Sequence, residues 1–126
     1  MPTLDSEIKN FVSGDDLDVI RTIGNLPVGQ TIAKAWFTVK TKKLDTTPLF
    51  QKIITTVNVL GQGHITDIGG DEIGAVRFEL TAADTKLLVN KKVFFFDIQI
   101  RTSAGKVFTP ELGRIRAEIE RTVVAL

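Results

Sequence analysis

Few side chains in this sequence are equipped for catalysis. His64 is the single histidine and there is no cysteine, so a triad built on an imidazole base would have to use it. It lies beside the glycine-rich stretches Gly61-Gln62-Gly63 and Gly69-Gly70-Asp71, with no nucleophile-elbow pattern around it. A histidine solvated or hydrogen-bonded in a turn is the simpler expectation. The same glycines lack the lysine of a P-loop and the strand-to-helix setting of a dinucleotide fingerprint, and they read as turns. Asp15, Asp16 and Asp18 crowd carboxylates together as a hard cation requires, but the spacing, glycine and closing glutamate of an EF-hand are missing. An acidic turn is the common source of such a cluster. No catalytic residue, no cofactor and no metal site are therefore expected, and no enzyme.

Two aromatic residues say more. With a period of two, Thr31 to Thr41 places Ala33, Ala35, Phe37 and Val39 on one face and Lys34, Thr38 and Lys40 on the other; Trp36 falls with the lysines. Val93 to Thr102 places Phe94, Phe96, Ile98 and Ile100 on one face and Asp97, Gln99 and Arg101 on the other, and Phe95 falls with the polar set. A large aromatic on the polar side of a strand is either covered by a loop or a local bulge, or it belongs to a surface that meets a partner. The candidate interface is Trp36, Phe95, Lys34 and Lys40.

The elements that would carry these residues are mostly strands. Val93 to Thr102 is the strongest: four large apolar side chains on one face make it a central strand of the core, with Phe37, Phe78, Phe96 and Ile98 expected inside. Ser103-Ala104-Gly105 then gives a hairpin cue before Lys106-Val107-Phe108. Leu17 to Ile23, Leu49 to Ile54, His64 to Ile68 and Ala75 to Leu80 read as further strands between Gly- and Pro-bearing turns. Leu4 to Val12 is open between a marginal helix, an N-terminal arm and an edge strand. Thr81-Ala82-Ala83-Asp84 approximates a capping box and predicts one short helix over residues 81–88, packing Leu87 or Leu88 under the sheet. Gly113 to Glu120 alternates as a strand, although Leu112, Ile115, Ile119 and Leu126 also share a helical face; strand is the reading adopted. Seven or so strands and one short helix point to an all-β, two-sheet antiparallel sandwich in a single domain, residues 1–126.

Composition narrows the function classes. Apolar content of 43% and charged content of 25% fit a folded chain rather than a disordered one. A net charge of +1 is too balanced for a phosphate-dominated nucleic-acid binder. The balance is uneven along the chain: Asp5, Glu7, Asp15, Asp16 and Asp18 face only Lys9 in the first twenty residues, whereas Lys34, Lys40, Lys42, Lys43 and Lys52 face only Asp45 further on. No basic n-region with an apolar run opens the sequence and no apolar stretch is long enough for a membrane-spanning helix, so no membrane partner is expected.

Three stretches resemble a known family. Ala35-Trp36-Phe37-Thr38-Val39-Lys40 followed by Leu49-Phe50-Gln51-Lys52, then Leu80-Thr81-Ala82-Ala83-Asp84-Thr85, then Phe96-Asp97-Ile98-Gln99-Ile100-Arg101 with Ser103-Ala104-Gly105-Lys106-Val107, come in the order found in small phage tail proteins. They are similar to the immunoglobulin-like β-sandwich of the baseplate upper protein N-terminal domain family, over residues 13–122. The resemblance implies a structural protein of a phage or prophage particle, located in the virion tail after synthesis in the bacterial cytoplasm. Its partners would be other tail or baseplate proteins and further copies of itself. Longer members continue into a helical linker and a receptor-binding attachment region that this sequence does not show, so carriage of a receptor-binding protein is not implied. A carbohydrate- or surface-binding β-sandwich module is the alternative; it would expose several aromatics along one groove, where this chain offers Trp36 and Phe95.

Overall fold

Strands follow one another with little between them: β1 (Thr3–Ile8), β2 (Val12–Ser13), β3 (Leu17–Ile23), β4 (Ile32–Lys40), β5 (Phe50–Ile54), β6 (Gly63–Asp67), β7 (Gly74–Leu80), β8 (Phe94–Thr102), β9 (Val107–Ile115) and β10 (Ile119–Glu120). Among the described residues one helix, α1 (Ala82–Lys86), follows β7 and precedes β8. The computed structural model describes residues 3–70, 73–88, 92–117 and 119–120. Among the described residues strand accounts for 56% and helix for 5%, so the fold is mainly β.

The strands form a five-stranded sheet ordered β1-β9-β8-β4-β5, a three-stranded sheet ordered β3-β7-β6, and a short β10-β2 pair. The two larger sheets face each other over one core. Phe37 on β4 links them, its ring 5.5 Å from Phe96 of its own sheet and 5.4 Å from Phe78 of the other. Phe37, Phe78, Phe96 and Ile98 are all buried, as the alternation requires. Sheets of this kind bury one face and leave the other to solvent, so the outer face of the five-stranded sheet is free to carry a function.

The β8–β9 hairpin closes as Ser103-Ala104-Gly105 suggests. The Gly105 N–H donates to Thr102 O at 2.9 Å and Gly105 takes φ +85, the left-handed residue that ends a three-residue hairpin loop. The capping box also forms: the Asp84 N–H donates to the Thr81 hydroxyl while the Thr81 N–H donates to the Asp84 carboxylate at 2.8 Å. Of the two leucines after it, Leu88 is buried and Leu87 is exposed.

Of the readings left open for Leu4 to Val12, the edge strand is the one that forms: β1 lies at the edge of the five-stranded sheet and pairs with β9 in parallel, with Ser6 opposite Gly113 and Ile8 opposite Ile115, while Val12 begins β2. Two expectations change. Ala33 leaves the core face because the β4–β8 register slips between Ile32 and Lys34, which returns Ala35, Phe37 and Val39 to the core and turns Ala33 outward. The strand expected over Gly113 to Glu120 is split, its first residues ending β9 and its last forming β10 against β2; Glu118 and Leu126, which entered the strand and helix readings, lie outside the described residues.

Candidate functional site

Cross-strand pairing sets the outer face of the five-stranded sheet in rows. In the first, Trp36 of β4 stands between Ile53 of β5 and Gln99 of β8. In the second, Gln51, Thr38, Asp97 and Leu112 run across β5, β4, β8 and β9. In the third, Lys40, Phe95 and Arg114 run across β4, β8 and β9. Each row joins strands that are far apart in sequence, so the surface exists only once the sheet has formed.

Trp36 is half-buried, with Lys34 Nζ over its ring at 5.3 Å from the centroid. A cation held over an indole at a partly exposed site contributes about 0.5–1 kcal/mol, enough to favour one orientation of the ring. Ile53 beside it is 42% exposed and extends the apolar surface. Phe95 is also half-buried, one strand away. The two aromatics thus share a face and lie on hydrogen-bonded strands, but they do not touch. The row of Thr38 and Asp97 separates them, and four residues of strand set their positions roughly 13 Å apart. Thr38 in that middle row is buried and its hydroxyl accepts from Gln51 Nε2 at 2.9 Å, so the centre of the face is polar.

Around Phe95 the surface dips into a groove of about 380 Å³ whose lining includes Phe95, Asp97, Leu112, Lys40, Lys43, Arg114 and Asp5. Arg114 Nη2 reaches Asp5 Oδ1 at 3.3 Å across the exposed edge. Partial burial pushes the Asp97 carboxyl above its ordinary range, and the nearby Lys40 charge only partly offsets this.

The other residues singled out from the sequence lie in or beside the three-stranded sheet. His64 lies within β6, half-buried and opposite Arg77, rather than in a turn. Asp16 accepts from the Ala82 N–H at 2.8 Å and so caps α1, while Asp18 pairs with Arg77 at 2.7 Å. The Asp15 carbonyl accepts from the Thr85 hydroxyl at 2.6 Å. Among the described residues, no group of three or more His, Cys, Asp or Glu side chains is placed to hold a metal ion. The acidic turn fastens the helix to β3.

Sequence reading missed a buried ion pair. Lys52 Nζ lies 2.5 Å from Asp84 Oδ2 and donates to Gly61 O at 2.7 Å, with only 6% of its side chain exposed. Burial alone would raise the Asp84 carboxyl, but hydrogen bonds from Lys52 and from the Thr81 N–H and hydroxyl outweigh it and hold Asp84 below the ordinary carboxylate range. The signal was available: Phe50, Lys52 and Ile54 share the inward face of β5 by period, so a lysine flanked by core residues asked for a carboxylate partner. Compared with known protein families and with curated proteins, the chain matches none.

Proposed function

We propose that this chain is a non-enzymatic docking module, an immunoglobulin-like β-sandwich that acts through protein–protein contacts in the tail or baseplate of a phage or prophage particle. The immunoglobulin-like part draws support from the strand order: β4, β8 and β9 with β5 as an added strand face β3, β7 and β6, as in a Greek-key sandwich of that type. The particle assignment draws on the resemblance of the three stretches quoted above. The observation that carries docking is the shared outer face on which Trp36 lies beside Ile53, and Phe95 and Leu112 line one groove, among polar neighbours such as Gln51, Thr38, Asp97 and Gln99. Aromatic anchors among polar neighbours are the residues in which interface energy concentrates. The lysines around them, Lys34 and Lys40, would steer approach and set the rim.

The test pairs folding with assembly. Trp36→Ala should keep the circular dichroism spectrum of the parent while reducing self-association in sedimentation or incorporation into tails and baseplates produced with the neighbouring structural proteins. A folded Trp36→Ala protein that assembles like the parent removes this face from the interface.

A further inference from the structure

We infer that the groove beside Phe95 is an anchor site for an acidic protein segment, one that presents an apolar side chain between carboxylates. The inference deepens the docking reading and rests on it. Its basis is the order of side chains in the third row, where Lys40 and Arg114 flank Phe95 directly across two strand pairings. Lys43 adds a third cation from the loop after β4. Phe95 and Leu112 supply the apolar floor. A guest with the matching order, carboxylate, apolar side chain, carboxylate, covers the ring and meets both cations at once. A small anion leaves the ring uncovered, and a basic segment meets three cations.

Two carboxylates also line the groove, and they refine the fit. Asp5 is engaged by Arg114 at an exposed edge, a pairing of the kind that contributes little and exchanges readily for a better partner. Asp97 lines the groove near Lys40 and, among the described residues, makes no ion pair. A volume of about 380 Å³ holds one large side chain with its flanking residues and lies at the small end of ligand sites.

The experiment titrates the whole chain, labelled for amide NMR, with two blocked pentapeptides, Asp-Glu-Phe-Glu-Asp and Lys-Lys-Phe-Lys-Lys, and with single-stranded oligothymidine. The acidic peptide should shift the amides of residues 40–43, 95–97 and 112–114 in a saturable way, with at least tenfold tighter binding than the basic one. Phe95→Ala and Lys40→Glu should each weaken it several-fold without changing the fold, and Ile20→Ala, at an exposed position on β3 of the other sheet, should leave it unchanged. Equal or weaker binding of the acidic peptide, preference for oligothymidine, or shifts confined to other residues overturns the inference. So does finding by sedimentation that the parent self-associates and Lys40→Glu abolishes this, which would make a second copy the occupant. If acidic-peptide binding fails while Trp36→Ala still loses assembly, the partner chemistry is wrong and the docking face stands.

Discussion

The Lys52–Asp84 pair shows how much depends on one side chain placed against the pattern. A lysine on the inward face of β5 is tolerated because Asp84 and the Gly61 carbonyl take two of its three donors. The same Asp84 closes the capping box of α1 and so fixes the helix that leads into β8. Lys52→Met removes the cation and leaves a largely buried carboxylate with only its Thr81 bonds, at a cost of roughly 3 kcal/mol. The pH dependence follows from the direction of the Asp84 shift. Its folded value is depressed, so the pair's contribution is complete above the unfolded pKa and is lost as pH falls through the folded one. Urea denaturation of parent and Lys52→Met should therefore show the full gap at neutral pH and a much smaller gap in acid. An undiminished gap in acid would mean that lost packing of the lysine stem, not lost charge, sets the cost.

Between elements, the parallel pairing of β1 with β9 depends on a glycine. A Cβ on Gly113 would lie 1.9 Å from the Ser6 carbonyl oxygen and 2.7 Å from the Ser6 nitrogen, both backbone atoms that cannot swing away. Gly113→Ala should loosen β1 and cost about 1–3 kcal/mol, as overpacking does. Faster amide exchange at Ser6 to Ile8, with unchanged protection in β8, is the expected readout. This is also where sequence reading ran short. Strands whose faces alternate, such as Phe94 to Ile100, announced themselves because burial on one side leaves a period of two. Thr81 with Asp84 announced a helix start because the cap is a local bond. β1 carries no comparable mark, since what places it is a missing Cβ more than a hundred residues later. The slip at Ala33 was equally invisible, because a bulge answers to the partner strand rather than to its own composition. For the candidate site, period alone put Trp36, Phe95, Lys34 and Lys40 on the polar side of their strands. It could not show that Lys40, Phe95 and Arg114 form one row, or that Thr38 and Asp97 part the two aromatics, because pairing partners and register come from the assembled sheet.

Across the whole molecule, the two sheets are bound into one cooperative unit by a core that has Phe37 near its centre. Phe37 is fully buried and touches Phe78 and Phe96, one from each sheet. The neighbouring residue on β4 is Trp36, the one tryptophan of the chain, which faces the opposite way onto the outer surface. Fluorescence of Trp36 therefore reports on the outer face of the five-stranded sheet, while far-UV circular dichroism reports on all the strands. If the core holds both sheets together, the two signals should follow one denaturation curve with the same midpoint. Phe37→Ala should then move both curves together, by about 3–5 kcal/mol. That is a large part of the stability of a small domain, so the variant is best followed from low denaturant with a stabilising osmolyte present. A fluorescence transition that precedes the dichroism would show that the outer face of the five-stranded sheet opens before the core gives way. The proposed docking surface would then be a locally unstable region rather than a rigid platform, and any partner bound there would have to supply the order that the free chain lacks.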